Sequence, residues 1–195
     1  DMIVFNIGPG GFQSIQPGTQ LPDLTDVPGT MIDGFTQPGG AGAGSNPPAT
    51  ATLLIEINGS LCLPPLNPAH GFVLQSPNNT IRGLIINRFS RDGILIPVLP
   101  TGVSNNLVYC NFIGTDQTGN INMGNGWDLS QLWAGVYIGS LGMGTAFQNV
   151  IDGNLISGNY AEGVGIMSCP TDVDVFQNQV INNYIGTDIT GMLPL

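Results

Sequence analysis

From residue 78 onward the pattern of apolar and polar positions returns four times on one template, as NNTIRGLIINRF, NNLVYCNFIGTD, QNVIDGNLISGN and QNQVINNYIGTD. Each copy begins one residue before a template Asn, at Asn79, Asn106, Asn149 and Asn178. Two positions after that Asn stand Ile81, Val108, Ile151 and Val180; seven after it stand Ile86, Ile113, Ile156 and Ile185, with no gap in this core. Three copies then reach a Gly-apolar-x-apolar tetrapeptide, at Gly93–Ile96, Gly135–Ile138 and Gly163–Ile166. Apolar residues at alternate positions predict short strands, and the Gly, Asn and Ser between them predict corners.

The pattern extends upstream in weaker form. Thr30-Met31-Ile32-Asp33-Gly34 matches Asn149-Val150-Ile151-Asp152-Gly153 apart from Thr for Asn and Met for Val, and Gly71-Phe72-Val73-Leu74 supplies another Gly-apolar-x-apolar. Residues 1–77 therefore read as degenerate turns holding a Pro/Gly-rich excursion at 36–50, and residues 78–195 as four clear repeats. Repeat starts run from 79 to 106 to 149 to 178, intervals of 27, 43 and 29 residues. The long interval contains an insertion, 114–134, and Gly186–Gly191 opens the same excursion again, so the excursions leave from one corner.

Strand periodicity within a fixed repeat predicts one all-β domain over 1–195: a right-handed, single-stranded parallel β-helix of about five to six turns, three short strands per turn, with lateral loops. Equivalent aliphatic residues should stack turn on turn as interior columns. The template Asn residues should form ladders, Asn111, Asn154 and Asn183 among them, because a corner amide can bond the next turn's amide and Asn tolerates left-handed backbone. Arg82 shares its offset with Asp33, which predicts a cross-turn ion pair. Leucine-rich repeats are excluded by the Leu spacing and by the lack of a helical half.

Composition narrows the partners. The 29 Gly and 15 Pro suit turns, and the net charge is −10 with no Lys and only Arg82, Arg88 and Arg91 as cations. Nucleic acid and anionic membranes demand clustered Lys/Arg and are poor partners. No apolar run reaches the roughly 18 residues of a membrane span. The chain opens directly on strand-like Met2-Ile3-Val4-Phe5, as though a leader had been removed or left out. Cys62, Cys110 and Cys169 lack zinc spacing and read as small buried residues, with one disulfide plus a free thiol as the alternative.

These residues resemble the parallel β-helix repeat regions of large secreted and cell-surface bacterial proteins, whose repeats run N-x-I-x-G-N-x-I-G-T-D-x-T-G followed by G-I-x-I. The opening, DMIVFNI through TMIDGFTQPG, and the phrase TIRGLIINRF are similar to the segment that leads into such regions. Cys110 and Asn182 depart from the pattern, standing where it has Gly. The resemblance covers nearly the whole chain; it implies the fold and an extracellular or cell-surface setting, and no defined activity.

The candidate chemistry is correspondingly sparse. β-Helix polysaccharide lyases and hydrolases, which resemble this fold, work with carboxylate pairs or an Arg or Lys base on the outer face, so catalytic candidates are Arg88, Arg91 and Asp92. Asp116, Asn159 and Asp188 share an offset and are candidate oxygen ligands for Ca²⁺, against a plain turn role for the Gly-Thr-Asp-x-Thr-Gly segments. Beyond that candidate no cofactor is expected. His70 has no ligand-spaced partner and reads as a loop residue; Trp127 and Trp133 lie in the insertion, where they either pack it or stack on a sugar. The sequons at Asn58 and Asn78 carry weight only in a glycosylating host. The expected role is a non-catalytic structural module, a rigid spacer, adhesin stalk or filament subunit whose ends meet further turns or other copies of the chain. The alternative is a carbohydrate-binding or polysaccharide-processing β-helix of pectate-lyase-like type.

Overall fold

The computed structural model of the protein describes residues 1–42, 48–63, 67–128, 130–139, 143–168 and 173–195, so Cys169 and parts of the Pro-rich stretches at 36–50 and 62–68 lie outside the described residues. The fold is all-β. Among the described residues the only helices are short 3₁₀ turns such as Gly34–Thr36 and Gly59–Leu61, and no helix is long and apolar enough to cross a membrane.

Strands assemble into four sheets. The first stacks six strands in the order Met2–Val4, Met31–Asp33, Thr80–Arg82, Leu107–Tyr109, Val150–Asp152 and Gln179–Ile181. The second also has six, Gln13–Ile15, Ile55–Asn58, Leu84–Asn87, Phe112–Ile113, Leu155–Ile156 and Tyr184–Ile185. A third stacks Phe72–Val73, Ile94–Ile96, Ala134–Gly139 and Glu162–Met167, and a fourth Val103–Ser104, Gly144–Phe147 and Val173–Phe176. Every pairing between these strands is parallel. From residue 80 the chain visits the sheets in a fixed cycle, first, second, third, fourth, and back to the first at Leu107.

Each full cycle thus contributes four strands where the apolar pattern indicates three. The fourth escapes the pattern because it alternates weakly: Val103-Ser104 is two residues long, and Gly144-Thr-Ala-Phe147 mixes small and polar side chains.

Register follows the sequence template. Ile32, Ile81, Val108, Ile151 and Val180 face one another in successive strands of the first sheet, as do Ile57, Ile86, Ile113, Ile156 and Ile185 in the second. Ile81, Val108, Ile151, Ile86, Ile113 and Ile156 are wholly buried, while Val180 and Ile185 in the last strands are 37% and 44% exposed. An aliphatic column is shielded only where a strand stacks on both sides of it, and the last strand of each sheet has a partner on one side alone.

Asn amides clamp the corners. Asn79, Asn106, Asn149 and Asn178 form one ladder in which each Nδ2 donates to the next Oδ1 at 2.9 Å. That same oxygen also accepts the backbone N–H of the Asn whose amide donates to it, at 2.8–3.1 Å. Asn111, Asn154 and Asn183 repeat the arrangement at the next corner, with Nδ2–Oδ1 distances of 3.0 and 2.9 Å. Asn125 and Asn159 form a third pair at 3.0 Å. Buried backbone groups that no sheet can satisfy are satisfied here by a side chain. The residue before the first ladder and the residue before the second take positive φ in every clear copy: Asn78, Asn105, Gln148 and Gln177, then Gly83, Cys110, Gly153 and Asn182. Cys110 and Asn182 keep the corner geometry of the Gly they replace, at φ 53° and 56°.

The excursions fold back on the second sheet. Its outward residues Ile85, Phe112 and Leu155 form a separate apolar cluster with Leu53, covered by Phe35, Tyr184 and Ile189. Both Gly-Thr-Asp-x-Thr-Gly segments close with one geometry, an antiparallel bridge at Thr115–Asn122 and again at Thr187–Pro194.

Candidate functional site

The residue just before each Gly-apolar-x-apolar segment falls on a single edge of the third sheet, and these residues are His70, Asp92, Ala134 and Glu162. The Gly71 N–H donates to the Asp92 carbonyl at 3.0 Å, the Gly93 N–H to the Ala134 carbonyl at 3.1 Å, and Ala134 pairs with Glu162. Gly is required at these positions: a Cβ on Gly93 would stand 2.6 Å from the Gly135 carbonyl oxygen and 2.8 Å from Ile113 Cγ2. The tight stacking that selects Gly brings the preceding side chains together on the outer face.

Asp92 is 1% exposed. Its Oδ1 accepts the Ala134 N–H at 2.6 Å, and its Oδ2 lies 3.1 Å from His70 Nδ1, an ion-pair distance without the alignment of a hydrogen bond. His70 lies in a loop, as its sequence context indicates, but is only 7% exposed, because Asp92 lies directly beside it. Trp133, brought back by the insertion, meets the His70 ring edge to face at 5.5 Å and carries the Arg91 guanidinium 5.1 Å above its own ring. Tyr137 completes the group; burial first, then the Asp92 and Glu162 carboxylates, raise its phenol above the ordinary tyrosine value. His70, Asp92, Leu95, Trp133, Tyr137 and Leu132 line a cavity of about 260 Å³.

Arg88 goes elsewhere. Its backbone is left-handed, φ 59°, its N–H donates to the Met123 carbonyl and its carbonyl accepts the Trp127 indole N–H at 3.1 Å. It lines a second, more open groove of about 350 Å³ with Asn122, Trp127 and Tyr160. The catalytic candidates Arg88, Arg91 and Asp92 are therefore divided between two depressions: Asp92 lines one, Arg88 the other, and Arg91 stacks on Trp133. Arg82 is bound to Asp33, Nη2 to Oδ2 at 2.6 Å, and that hydrogen bond is the main cause of its raised pKa.

The calcium candidates have other work. Asp116 accepts the Thr118 hydroxyl at 2.9 Å and the Asn120 and Ile121 N–H groups at 3.2 and 3.1 Å. Asp188 accepts the Thr190 hydroxyl at 2.6 Å and the Met192 and Leu193 N–H groups at 3.3 and 3.2 Å. The Thr190 bond leads the causes that lower the Asp188 pKa. Asn159 spends its oxygen on Asn125. Each carboxylate closes its own turn, chiefly through Oδ1, and among the described residues no cluster of three His, Cys, Asp or Glu side chains forms. Cys62 is buried with its thiol 3.1 Å from the Pro17 carbonyl oxygen, and burial raises its pKa; Cys110 is also buried. Asn58, in the first sequon, is 3% exposed and bonds the Ser60 N–H, whereas Asn78 is exposed.

Comparison with family models, with curated proteins and with solved structures finds no match for the chain.

Proposed function

We propose that the four sheets are the faces of one right-handed parallel β-solenoid, and that the protein is a non-catalytic structural module, a rigid spacer or stalk unit of a secreted or cell-surface protein. Handedness rests on the rule that crossovers joining parallel strands of one sheet are right-handed in about 98% of cases. The sequence resemblance to β-helix repeat regions supports the extracellular setting.

The observation that carries this reading is the in-register stacking of Asn ladders and aliphatic columns through successive cycles, which makes each repeat a floor for the next. At about 4.8 Å per strand, a six-strand sheet extends roughly 24 Å, and further floors would lengthen it without changing the cross-section. Both outer strands of the first sheet expose apolar residues, Met2, Ile3 and Val4 at one side and Val180 and Ile181 at the other. These faces suit further turns of the same kind or a second copy of the chain.

Sedimentation velocity over a wide concentration range tests the reading. Association is expected to rise with concentration and to be lost in Val180→Asp. A monomer at every concentration counts against end-to-end stacking; turnover of an acidic polysaccharide that Arg88→Ala or Asp92→Ala abolishes overturns the non-catalytic role.

A further inference from the structure

We infer that the groove of Ser60, Arg88, Asn122, Trp127 and Tyr160 binds an acidic sugar, one carboxylate on a hydroxyl-bearing ring. The site adds a ligand to the structural role proposed above and does not depend on it. Three observations carry it. First, Arg88 is a cation that the described chain leaves uncommitted. Arg82 is bound to Asp33 and Arg91 is stacked on Trp133. The Arg88 side chain is exposed and, among the described residues, makes no ion pair, hydrogen bond or ring contact. Its backbone is nevertheless fixed at φ 59°, the conformation that Gly158 takes at φ 72° two residues beyond Ile156, as Arg88 stands two beyond Ile86. The chain thus keeps a long cationic side chain at a corner whose backbone favours glycine.

Second, Arg88 is the sole charge among the residues that line the groove, with neither an acid nor a second cation beside it. A guanidinium is a planar fork that bonds a carboxylate through two parallel N–H groups. One fork balances the single charge of a carboxylate. A phosphate monoester, at about −1.5 to −2, would keep unbalanced charge on a chain whose own net charge is −10.

Third, the rest of the wall suits a sugar ring. The Ser60 and Tyr160 hydroxyls and the Asn122 amide both donate and accept, which complements ring hydroxyls. The Trp127 indole N–H is spent on the Arg88 carbonyl, so what Trp127 offers a ligand is apolar ring surface, and Tyr160 adds a second ring that is 62% exposed. The lining residues follow four consecutive strands of the second sheet, Ile55–Asn58, Leu84–Asn87, Phe112–Ile113 and Leu155–Ile156. At about 4.8 Å per strand the groove therefore runs roughly 14 Å along the stack. Its volume of about 350 Å³ falls in the range of ligand pockets, about 300–1,000 Å³.

The test titrates the whole chain with glucuronate, galacturonate and N-acetylneuraminate, with glucose and galactose as neutral sugars and phosphate and triglutamate as other anions, while the Trp127 indole N–H is followed by NMR. At least one acidic sugar is expected to shift that signal saturably, to bind about tenfold more tightly than either neutral sugar, and to weaken as salt is added. Arg88→Gly suits the backbone of the corner and, with its far-ultraviolet spectrum unchanged, is expected to erase the preference for the acid. Tyr160→Ala is expected to weaken acidic and neutral sugars alike. No saturable shift with any acidic sugar, equal binding of the neutral ones, tighter binding of phosphate or triglutamate, an acid preference that survives in Arg88→Gly, or full affinity in Tyr160→Ala would overturn the assignment.

Discussion

Arg82 Nη2 donates to Asp33 Oδ2 at 2.6 Å, joining paired residues of adjacent strands that lie 49 positions apart in the chain. Asp33 is almost fully buried and also caps a 3₁₀ turn by accepting the Phe35 N–H at 3.1 Å, whereas the Arg82 side chain is 36% exposed. Arg82→Gln leaves that buried carboxylate without its cation and should cost about 1–3 kcal/mol. Asp33→Ala removes the buried charge together with its bonds and loses the cap, about 0.5–2 kcal/mol. Urea denaturation of the two variants and their double mutant measures both.

Asn154 sits inside its ladder. It accepts from the Asn111 N–H and Nδ2 and donates to the Val108 carbonyl, so Asn154→Ala strands at least two buried groups at about 1–3 kcal/mol each. Asn183 ends the same ladder half-buried, and Asn183→Ala should cost clearly less. Equal midpoints for the two variants in chemical denaturation would show that the amides do not act as a stack.

Gln148 is exposed at φ 56°, a conformation costing a residue with a Cβ about 1–2 kcal/mol. Gln148→Gly relieves that strain against an unfolded-state entropy cost of about 0.5–1 kcal/mol, so a small gain in stability is expected. Gln148→Val, β-branched in the left-handed region, should destabilise. Thermal unfolding of the pair gives the sign directly.

The Asp188 turn should respond to acid. Its carboxylate pKa is lowered in the folded protein, chiefly by the Thr190 hydroxyl, so the folded state holds this proton less tightly than the unfolded chain. The stabilisation is then fully present above the usual carboxylate pKa, about 3.9, and disappears as pH falls through the lowered value. Asp188→Asn should flatten that part of the acid-unfolding profile, and a carboxyl titration of Asp188 by NMR at or above the usual value would contradict it.

Much of the fold was legible because a repeat writes its contacts into its spacing. The offset shared by Asp33 and Arg82, and the run of Ile81, Val108 and Ile151, are the actual cross-strand partners. The fourth strand was hidden because Val103-Ser104 and Gly144–Phe147 have no apolar alternation to read. The cavity was hidden for another reason: His70 and Asp92 are 22 positions apart and Trp133 reaches them only through the path of the insertion, which no periodicity encodes. A usable signal was present all the same, in the residue that precedes Gly71, Gly93, Gly135 and Gly163.

The amide clamps fix register locally, and they do so across chain intervals of 27, 43 and 29 residues alike. Loop closure grows only by about 0.6 kcal/mol per doubling of length, so a stack held by such clamps is nearly indifferent to how much chain departs at the corner after Ile113. Length there is a free variable. A segment of foreign sequence spliced between Thr118 and Asn122 would cost the turn that Asp116 closes with the Asn120 and Ile121 N–H groups, while the Asn clamps on either side of it stay in place.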